Sequence, residues 1–153
     1  MNKEKLITEE GYKNLQQQLV SLYSDSSTIA QQLELARLDG DISENSAFLL
    51  LREKFADCQG KINSLKNYLE KAIIVKEVKD NSLVQLGKQI TYQTTDKRKK
   101  TVKLVNEFEA DPFQGKISFI SPFGSLLLNR KIGDTLEIGS KQGKYQIQIL
   151  EIK

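Results

Sequence analysis

Apolar residues recur at heptad spacing in two runs through the first half of the chain. The first run is Tyr12, Leu15, Leu19, Leu22, Ser26, Ile29, Leu33 and Ala36. Its steps alternate between three and four residues, and only Ser26 interrupts its apolar character. The second run repeats these steps over Phe48, Leu51, Phe55, Cys58, Ile62, Leu65, Leu69 and Ala72. Two matched seams joined by a short bend predict an antiparallel coiled coil.

Such a helix pair buries a narrow stripe and forms no large core. Since an α-helix rises 1.5 Å per residue, each paired seam spans about 36 Å. The pattern therefore predicts a hairpin that holds its bend away from the rest of the molecule. Cys58 lies on the second seam, where it is expected to be a small buried hydrophobic residue.

The pattern changes to alternation after a junction between Lys71 and Asn81. Strand-like stretches are QITYQT, TVKLVN, KISFIS, DTLEIG and YQIQILEIK. In the last of these, the alternating residues Tyr145, Ile147 and Ile149 predict a buried face. Ser121 suits a helix N-cap and Pro122 a first helical position, so a short helix should follow KISFIS. The fold class is α+β, with a coiled-coil hairpin over 1–76 and a β-rich domain over 77–153.

Charge supports two modules. Residues 1–75 carry nine Lys or Arg against eleven Asp or Glu, a net charge of −2, whereas residues 76–153 carry a net charge of +5. The chain has one cysteine and no histidine, which excludes ordinary zinc sites and Ser-His-Asp or Cys-His catalysis. No apolar run approaches the roughly 20 residues that span a bilayer. The polar N-terminus does not resemble a signal peptide. A soluble cytoplasmic protein with no membrane partner is expected.

A basic run, Lys97-Arg98-Lys99-Lys100, lies between the first two strand-like stretches. The favoured interpretation is a solvated hairpin tip, because no aromatic residues alternate with these charges to stack on bases. Steering toward an acidic partner or RNA stays open.

The bend between the two seams, RLDGDISENSAF, carries three acids around Gly40. Gly40 suits a left-handed helix C-cap, while Asp41 and Glu44 have the spacing of a capping box. Asp39 then serves as a polar turn residue. This structural interpretation explains the acids without any ligand.

The other interpretation makes Asp41 and Glu44 ligands of Mg²⁺, which prefers carboxylate oxygens. Two such ligands form a partial site, and phosphodiester hydrolysis commonly uses two metal ions about 4 Å apart. Arg37 and Arg52 could then bind RNA phosphates, or else form ordinary ion pairs, for example with Glu34 or Glu53. Phe48 is either core or a stacking platform for a base.

Three segments, ITEEGYKNLQQQL, ARLDGDISENSAF and ISFISPFGSLLLNRKIGDTLEI, resemble the bacterial Gre transcript-cleavage factors, GreA more than GreB. The similarity runs in order over nearly the whole chain. The resemblance implies an N-terminal antiparallel coiled coil and a C-terminal FKBP-like domain that docks on RNA polymerase. It implies a monomer that is not itself an enzyme and that enters the polymerase secondary channel to stimulate cleavage of the 3′ end of backtracked RNA.

The resemblance also implies roles for particular residues. Asp41 and Glu44 match acids that share a Mg²⁺ with the polymerase, so the free protein is expected to hold no cofactor. The nascent RNA 3′ end would be contacted by Arg37, Asn45, Phe48 and Arg52. Ser121, Pro122 and Phe123 match a loop that meets the polymerase at the channel rim.

This chain departs from many relatives at the tip, where Ser46, Ala47 and Phe48 replace an alanine, an acid and a tyrosine. Phe48 keeps the aromatic ring of that tyrosine but lacks its hydroxyl, which is one hydrogen-bonding group fewer near the tip. Three alternatives remain: a secondary-channel inhibitor without cleavage stimulation, a peptidyl-prolyl isomerase, and a coiled-coil chaperone or adaptor. The isomerase would need an aromatic-lined apolar pocket, and an adaptor would tolerate loss of Asp41 and Glu44.

Overall fold

The chain forms two long helices, a short helix and seven strands in a computed structural model that describes residues 5–38, 46–76, 78–140 and 143–153. The helices are α1 (Glu9–Leu38), α2 (Ser46–Lys71) and α3 (Pro122–Leu127), and a 3₁₀ helix covers Pro112–Gln114. The strands are β1 (Leu6–Thr8), β2 (Ile73–Val75), β3 (Gln89–Thr94), β4 (Lys99–Val105), β5 (Lys116–Ser118), β6 (Thr135–Ser140) and β7 (Gly143–Ile152). The α+β class is confirmed.

The chain divides into two compact units, one of residues 13–71 and one that combines 5–12 with 72–153. The sequence interpretation ended the first domain at residue 76. In the structure β2 belongs to the second unit, because it pairs in parallel with β1, with Leu6 opposite Ile73. Strands of three residues leave no alternation long enough to detect in a sequence.

The helical unit has the predicted seams. Every position of both runs is buried or half-buried, and Leu15, Cys58, Ile62 and Leu65 are among the most buried. Cys58 is 7% exposed, as expected for a seam residue, and its thiol lies 3.4 Å from the carbonyl oxygen of Leu22 on the other helix. Both helices therefore pack through one apolar stripe each.

The second unit contains a five-stranded sheet in the order β5-β4-β3-β7-β6. Only the pairing of β4 with β5 is parallel, with Lys103 opposite Lys116, and the other pairings are antiparallel. The inner face of this sheet packs with α3 around buried residues that include Ile90, Leu104, Leu127, Ile147 and Ile149. The predicted strands and short helix are thus present, in one sheet with one core.

Two details differ from the sequence prediction. Tyr145 was expected on the buried face of the last strand, but it is 40% exposed, whereas Ile147 and Ile149 are buried. The reason is the register: β3 pairs with β7 only from Ile147 onward, so Tyr145 lies where β6 alone flanks the strand. The charged turn is also shorter than predicted, since β4 begins at Lys99.

The first turn of α1 packs closely on a loop of the same unit. The backbone N–H of Gly11 donates to the hydroxyl of Thr8 at 3.0 Å, and the carboxylate of Glu109 occupies the space where a side chain at Gly11 would start. Asn106, which is 1% exposed, donates its amide to that carboxylate and accepts from the backbone of Phe108. The lack of a side chain at Gly11 is what allows this approach.

In the described part of the chain, no helix combines the length and apolar character needed to cross a membrane.

Candidate functional site

In the sequence, the predicted catalytic acids fall between the last residue of α1 and the first residue of α2. α1 ends at Leu38 and α2 begins at Ser46. Residues 39–45 lie outside the described residues, so the roles assigned to Asp41, Glu44 and Asn45 remain predictions. The same holds for the predicted caps at Gly40 and Asp41 and for the capping box.

Arg37 and Arg52 lie on the described helices at either side of this segment. Both side chains are exposed, and Arg37 is in the last turn of α1, where a positive charge is favourable to the helix dipole. No described carboxylate lies within ion-pair distance of either guanidinium. The alternative pairing with Glu34 or Glu53 is therefore not formed, and no acid of the described residues neutralises either guanidinium.

Phe48 is half-buried on the second seam. That position supports a packing role for part of the ring, and contact with a base stays a prediction. Several apolar residues that the sequence interpretation did not single out are exposed on the same helix ends: Leu35, Leu38, Leu49 and Leu50, each more than half exposed. The sequence could have predicted their exposure, since all four leucines fall outside the heptad seams.

The second predicted site is the start of α3. Ser121 has an extended backbone and its hydroxyl accepts from the N–H of Gly124 at 3.0 Å, which confirms the predicted N-cap. The same hydroxyl donates to the carbonyl of Ser118 at 2.6 Å. Gly124 lies so close to β5 that an added Cβ would be 2.0 Å from that carbonyl oxygen. The loop is thus tightly fixed on the sheet.

Phe123 points inward from this loop. Its ring meets that of Tyr92 edge-on, with centroids 5.6 Å apart and an interplanar angle of 70°. Burial raises the pKa of Tyr92 above its ordinary value, and the nearby Tyr145 adds to that shift. A proline-isomerase pocket would need aromatic rings such as these along its wall. In this structure the two rings instead pack on each other in the core region.

Pro122 points the other way. It is exposed, and so are two apolar residues near it in the chain, Ile120 and Leu126, each 38% exposed. Of the three residues predicted to meet a partner, Pro122 is the one whose surface is open, whereas Ser121 and Phe123 hold the loop in shape. Leu126 was missed because the run SLLL does not indicate which leucine faces inward.

Comparison with known proteins agrees with this two-unit arrangement. Residues 5–74 match the family described as transcription elongation factor, N-terminal, and residues 71–153 match the family described as transcription elongation factor, GreA/GreB, C-term. Transcription elongation factor GreA of Thermosipho africanus is 35% identical over 156 residues, covering 100% of this chain and 99% of that protein. GreA of Geobacillus kaustophilus is 34% identical over 150 residues, covering 96% and 95%.

A solved structure of the transcription factor Gfh1 has the same fold. It superposes with a TM-score of 0.50 at 25% identity and covers 99% of both chains. The paired helices and the mixed sheet are thus those of a transcription elongation factor, as the three sequence segments indicated. This chain belongs to the GreA/GreB family.

Proposed function

We propose that this elongation factor binds RNA polymerase, inserts its helical hairpin into the secondary channel and stimulates cleavage of the 3′ end of backtracked RNA. The observation that supports the proposal most strongly is the family match across both units, 5–74 and 71–153. That match includes the segment between α1 and α2, where Asp41 and Glu44 stand.

The acids fit a shared Mg²⁺ by the chemistry of their donor atoms. Carboxylate oxygens are the ligands that this cation prefers, and Asp41 and Glu44 would hold it. Two side chains would fill only part of an octahedral shell, so this chain would supply a partial site that the polymerase completes. The cation, when bound, neutralises developing charge and lowers the pKa of bound water.

The arginines would bind the RNA strand. Arg37 and Arg52 present guanidiniums that no described acid neutralises. A guanidinium can donate two parallel hydrogen bonds to a phosphate, which fixes the position of the strand as well as its charge. These residues and Phe48 would orient the RNA 3′ end, and Asp41 and Glu44 would hold the shared cation.

The start of α3 would dock on the polymerase. Pro122, Ile120 and Leu126 form an exposed apolar group on a loop that Ser121 and Gly124 hold rigid. A rigid apolar contact loses little conformational entropy on binding. In this proposal the chain supplies groups to the polymerase and has no activity of its own.

A stalled, backtracked elongation complex tests the function directly. The complex is incubated with Mg²⁺ in the presence and absence of the protein, and the labelled RNA is resolved by length. Shortened RNA that the polymerase then re-extends supports cleavage stimulation. RNA of unchanged length together with blocked elongation would instead identify an inhibitor that occupies the channel.

A further inference from the structure

Phe113 is a fully exposed aromatic side chain on a short, well-defined turn. Its relative exposure is 102%, the highest among the exposed large apolar residues of the described chain. The 3₁₀ helix that carries it begins with Pro112 and is capped by Asp111, whose carboxylate accepts from the N–H of Phe113 at 3.1 Å. The helix ends at Gly115, which has a left-handed backbone with φ 69°. The backbone at Phe113 is therefore fixed from both sides, while its side chain is left in solvent.

The fold itself does not require an aromatic residue at this position. A single exposed apolar residue is common on protein surfaces, but phenylalanine is one of the residue types most often fully buried. The conformation of the turn depends on Asp111, Pro112 and Gly115, and a polar side chain at position 113 would be compatible with it. The ring contributes nothing to the core, so a binding role accounts for it better than a folding role.

The turn that carries Phe113 folds along the outer side of β5, which is the end strand of the five-stranded sheet. The inner side of β5 pairs with β4, where the carbonyl of Gly115 accepts from the N–H of Lys103 at 2.8 Å. Since backbone groups of successive residues point to opposite sides of a strand, those of Lys116 point outward. They bond to the backbone of Asp111 in both directions, at 2.9 Å each.

The loop before α3 bonds to the same outer side of β5. Ser118 lies two residues after Lys116, so its carbonyl also points outward, and it accepts from the backbone N–H of Ser121 at 3.1 Å. The turn from Ser118 to Ser121 leads directly into Pro122, the open residue of the proposed docking loop. Phe113 and Pro122 are thus carried by two turns at opposite ends of one short strand, on one edge of the sheet.

This edge of the sheet is closed to an incoming β-strand. The outward backbone groups of Lys116 and the outward carbonyl of Ser118 already bond within the chain. A partner at this edge must therefore bind through side chains and not by adding a strand. Aromatic residues are enriched at such contacts, where an anchor side chain fills a pocket of the partner. A ring on a capped turn suits this role because little backbone freedom is lost on binding.

We propose that Phe113 is an anchor residue for RNA polymerase, and that its side chain enters an apolar pocket on the surface of that enzyme. This inference rests on the proposed function, which makes the polymerase the partner at Pro122. A standard interface covers about 800 Å² of each protein, whereas the three residues of β5 span only about 10 Å. A polymerase bound at one end of β5 therefore has the turn at the other end within reach. The contact is additional to the loop of Ser121, Pro122 and Phe123.

Equilibrium binding to core polymerase that is free of nucleic acid tests the anchor. Phe113→Ala should weaken binding about 5- to 30-fold, the usual effect of truncating an aromatic anchor. Phe113→Leu, which keeps a large apolar side chain, should recover most of the affinity. The matched control is Ile132→Ala: Ile132 is 54% exposed and precedes β6, at the other end of the sheet, so this variant should bind like the parent. Because the ring makes no core contact, all three variants should melt like the parent.

A cleavage titration separates docking from any effect on the reaction. With Phe113→Ala, the protein concentration that gives half of the maximal cleavage rate should rise by the same factor as the dissociation constant. The rate at saturating protein should equal that of the parent, since Phe113 is not part of the tip.

Parent-like binding by Phe113→Ala would overturn the inference, and so would an equal loss of affinity in Ile132→Ala. A loss that appears only when the polymerase holds RNA would also overturn it, because the ring would then contact RNA and not protein. If the parent binds and Phe113→Ala binds equally well, the inference alone is wrong. If the parent itself does not bind polymerase, the proposed function is wrong and the inference falls with it.

Discussion

The side-chain amide of Gln59 donates to the hydroxyl of Ser26 at 2.7 Å, joining the two helices of the hairpin. Ser26 is the one polar residue on the first seam and is only 7% exposed. A buried hydroxyl is tolerated when it is hydrogen-bonded, and a single polar pair within an apolar seam favours one register over others. The break in the heptad pattern is therefore a specific contact between α1 and α2.

A double-mutant cycle tests this contact. Ser26→Ala should lower the free energy of unfolding by about 0.5–1.5 kcal/mol, the usual net value of such a hydrogen bond. Gln59→Ala should cost a similar amount, and the double variant less than the sum of the two. The measurement is urea unfolding followed by far-UV circular dichroism. Strict additivity of the two effects would show that the pair contributes no interaction energy.

Two glycines should respond to alanine in opposite directions. Gly124→Ala would place its Cβ against the backbone of Ser118 and Phe119, so we expect a loss of about 1–3 kcal/mol or more in stability. Gly60 lies inside α2, and a Cβ at that position would have no neighbouring atom within 4 Å. Gly60→Ala should therefore stabilise the helix by about 1 kcal/mol. Chemical denaturation of both variants measures this. A stable Gly124→Ala variant would contradict the close packing of α3 on β5.

The stability of the second unit should fall in alkaline solution partly through Tyr92. Its pKa is raised above 10.0 by burial and by Tyr145, so the folded state keeps the phenol proton at a pH where the unfolded state loses it. The stabilisation is complete below the unfolded pKa and is lost as the pH rises through the folded value. Unfolding free energies measured above pH 10 should therefore fall more steeply for the parent than for Tyr92→Phe. Parallel curves would contradict the shift.

The helices of this fold were predictable because their sequence pattern repeats. The pairing of short strands and the contacts of single side chains were not predictable. The heptad seams predicted α1 and α2 because each buried stripe repeats over eight positions. β1 and β2 were missed because each is three residues long and their pairing joins segments more than 60 positions apart. The exposure of Tyr145 depends on where β3 stops pairing, and the close approach of Gly115 to Thr101 depends on a parallel strand pair. Neither follows from local sequence.

The same distinction applies to the site. The N-cap at Ser121 is a local contact and was predicted correctly. That Phe123 packs inward while Pro122 stays open depends on the ring of Tyr92, which lies on another strand. The roles of Asp41 and Glu44 come from the resemblance and stay predictions, since residues 39–45 lie outside the described residues.

The arginines beside the tip should affect cleavage without affecting stability. Arg37→Ala or Arg52→Ala removes a guanidinium that forms no described ion pair, so the melting temperature should stay within about a degree of the parent's. Cleavage of backtracked RNA should fall about tenfold or more, since a hydrogen bond to a charged group contributes about 1.5–3 kcal/mol. Lys54→Ala, at an exposed position on α2, is the matched control and should retain full activity. Undiminished cleavage by both arginine variants would remove these residues from the site.

The central claim is that Asp41 and Glu44 supply charged oxygens to the polymerase. Asp41→Asn and Glu44→Gln keep the hydrogen-bonding capacity for helix capping but lose the charge that recruits Mg²⁺. Glu53→Gln removes a charge from an exposed position on α2 and serves as the control.

The decisive measurement is the rate of RNA shortening in a backtracked elongation complex with Mg²⁺ and each variant, alongside polymerase binding and thermal melting. We predict that Asp41→Asn and Glu44→Gln bind and melt like the parent and fail to stimulate cleavage, while Glu53→Gln cleaves normally. Normal cleavage by the two tip variants would contradict the account.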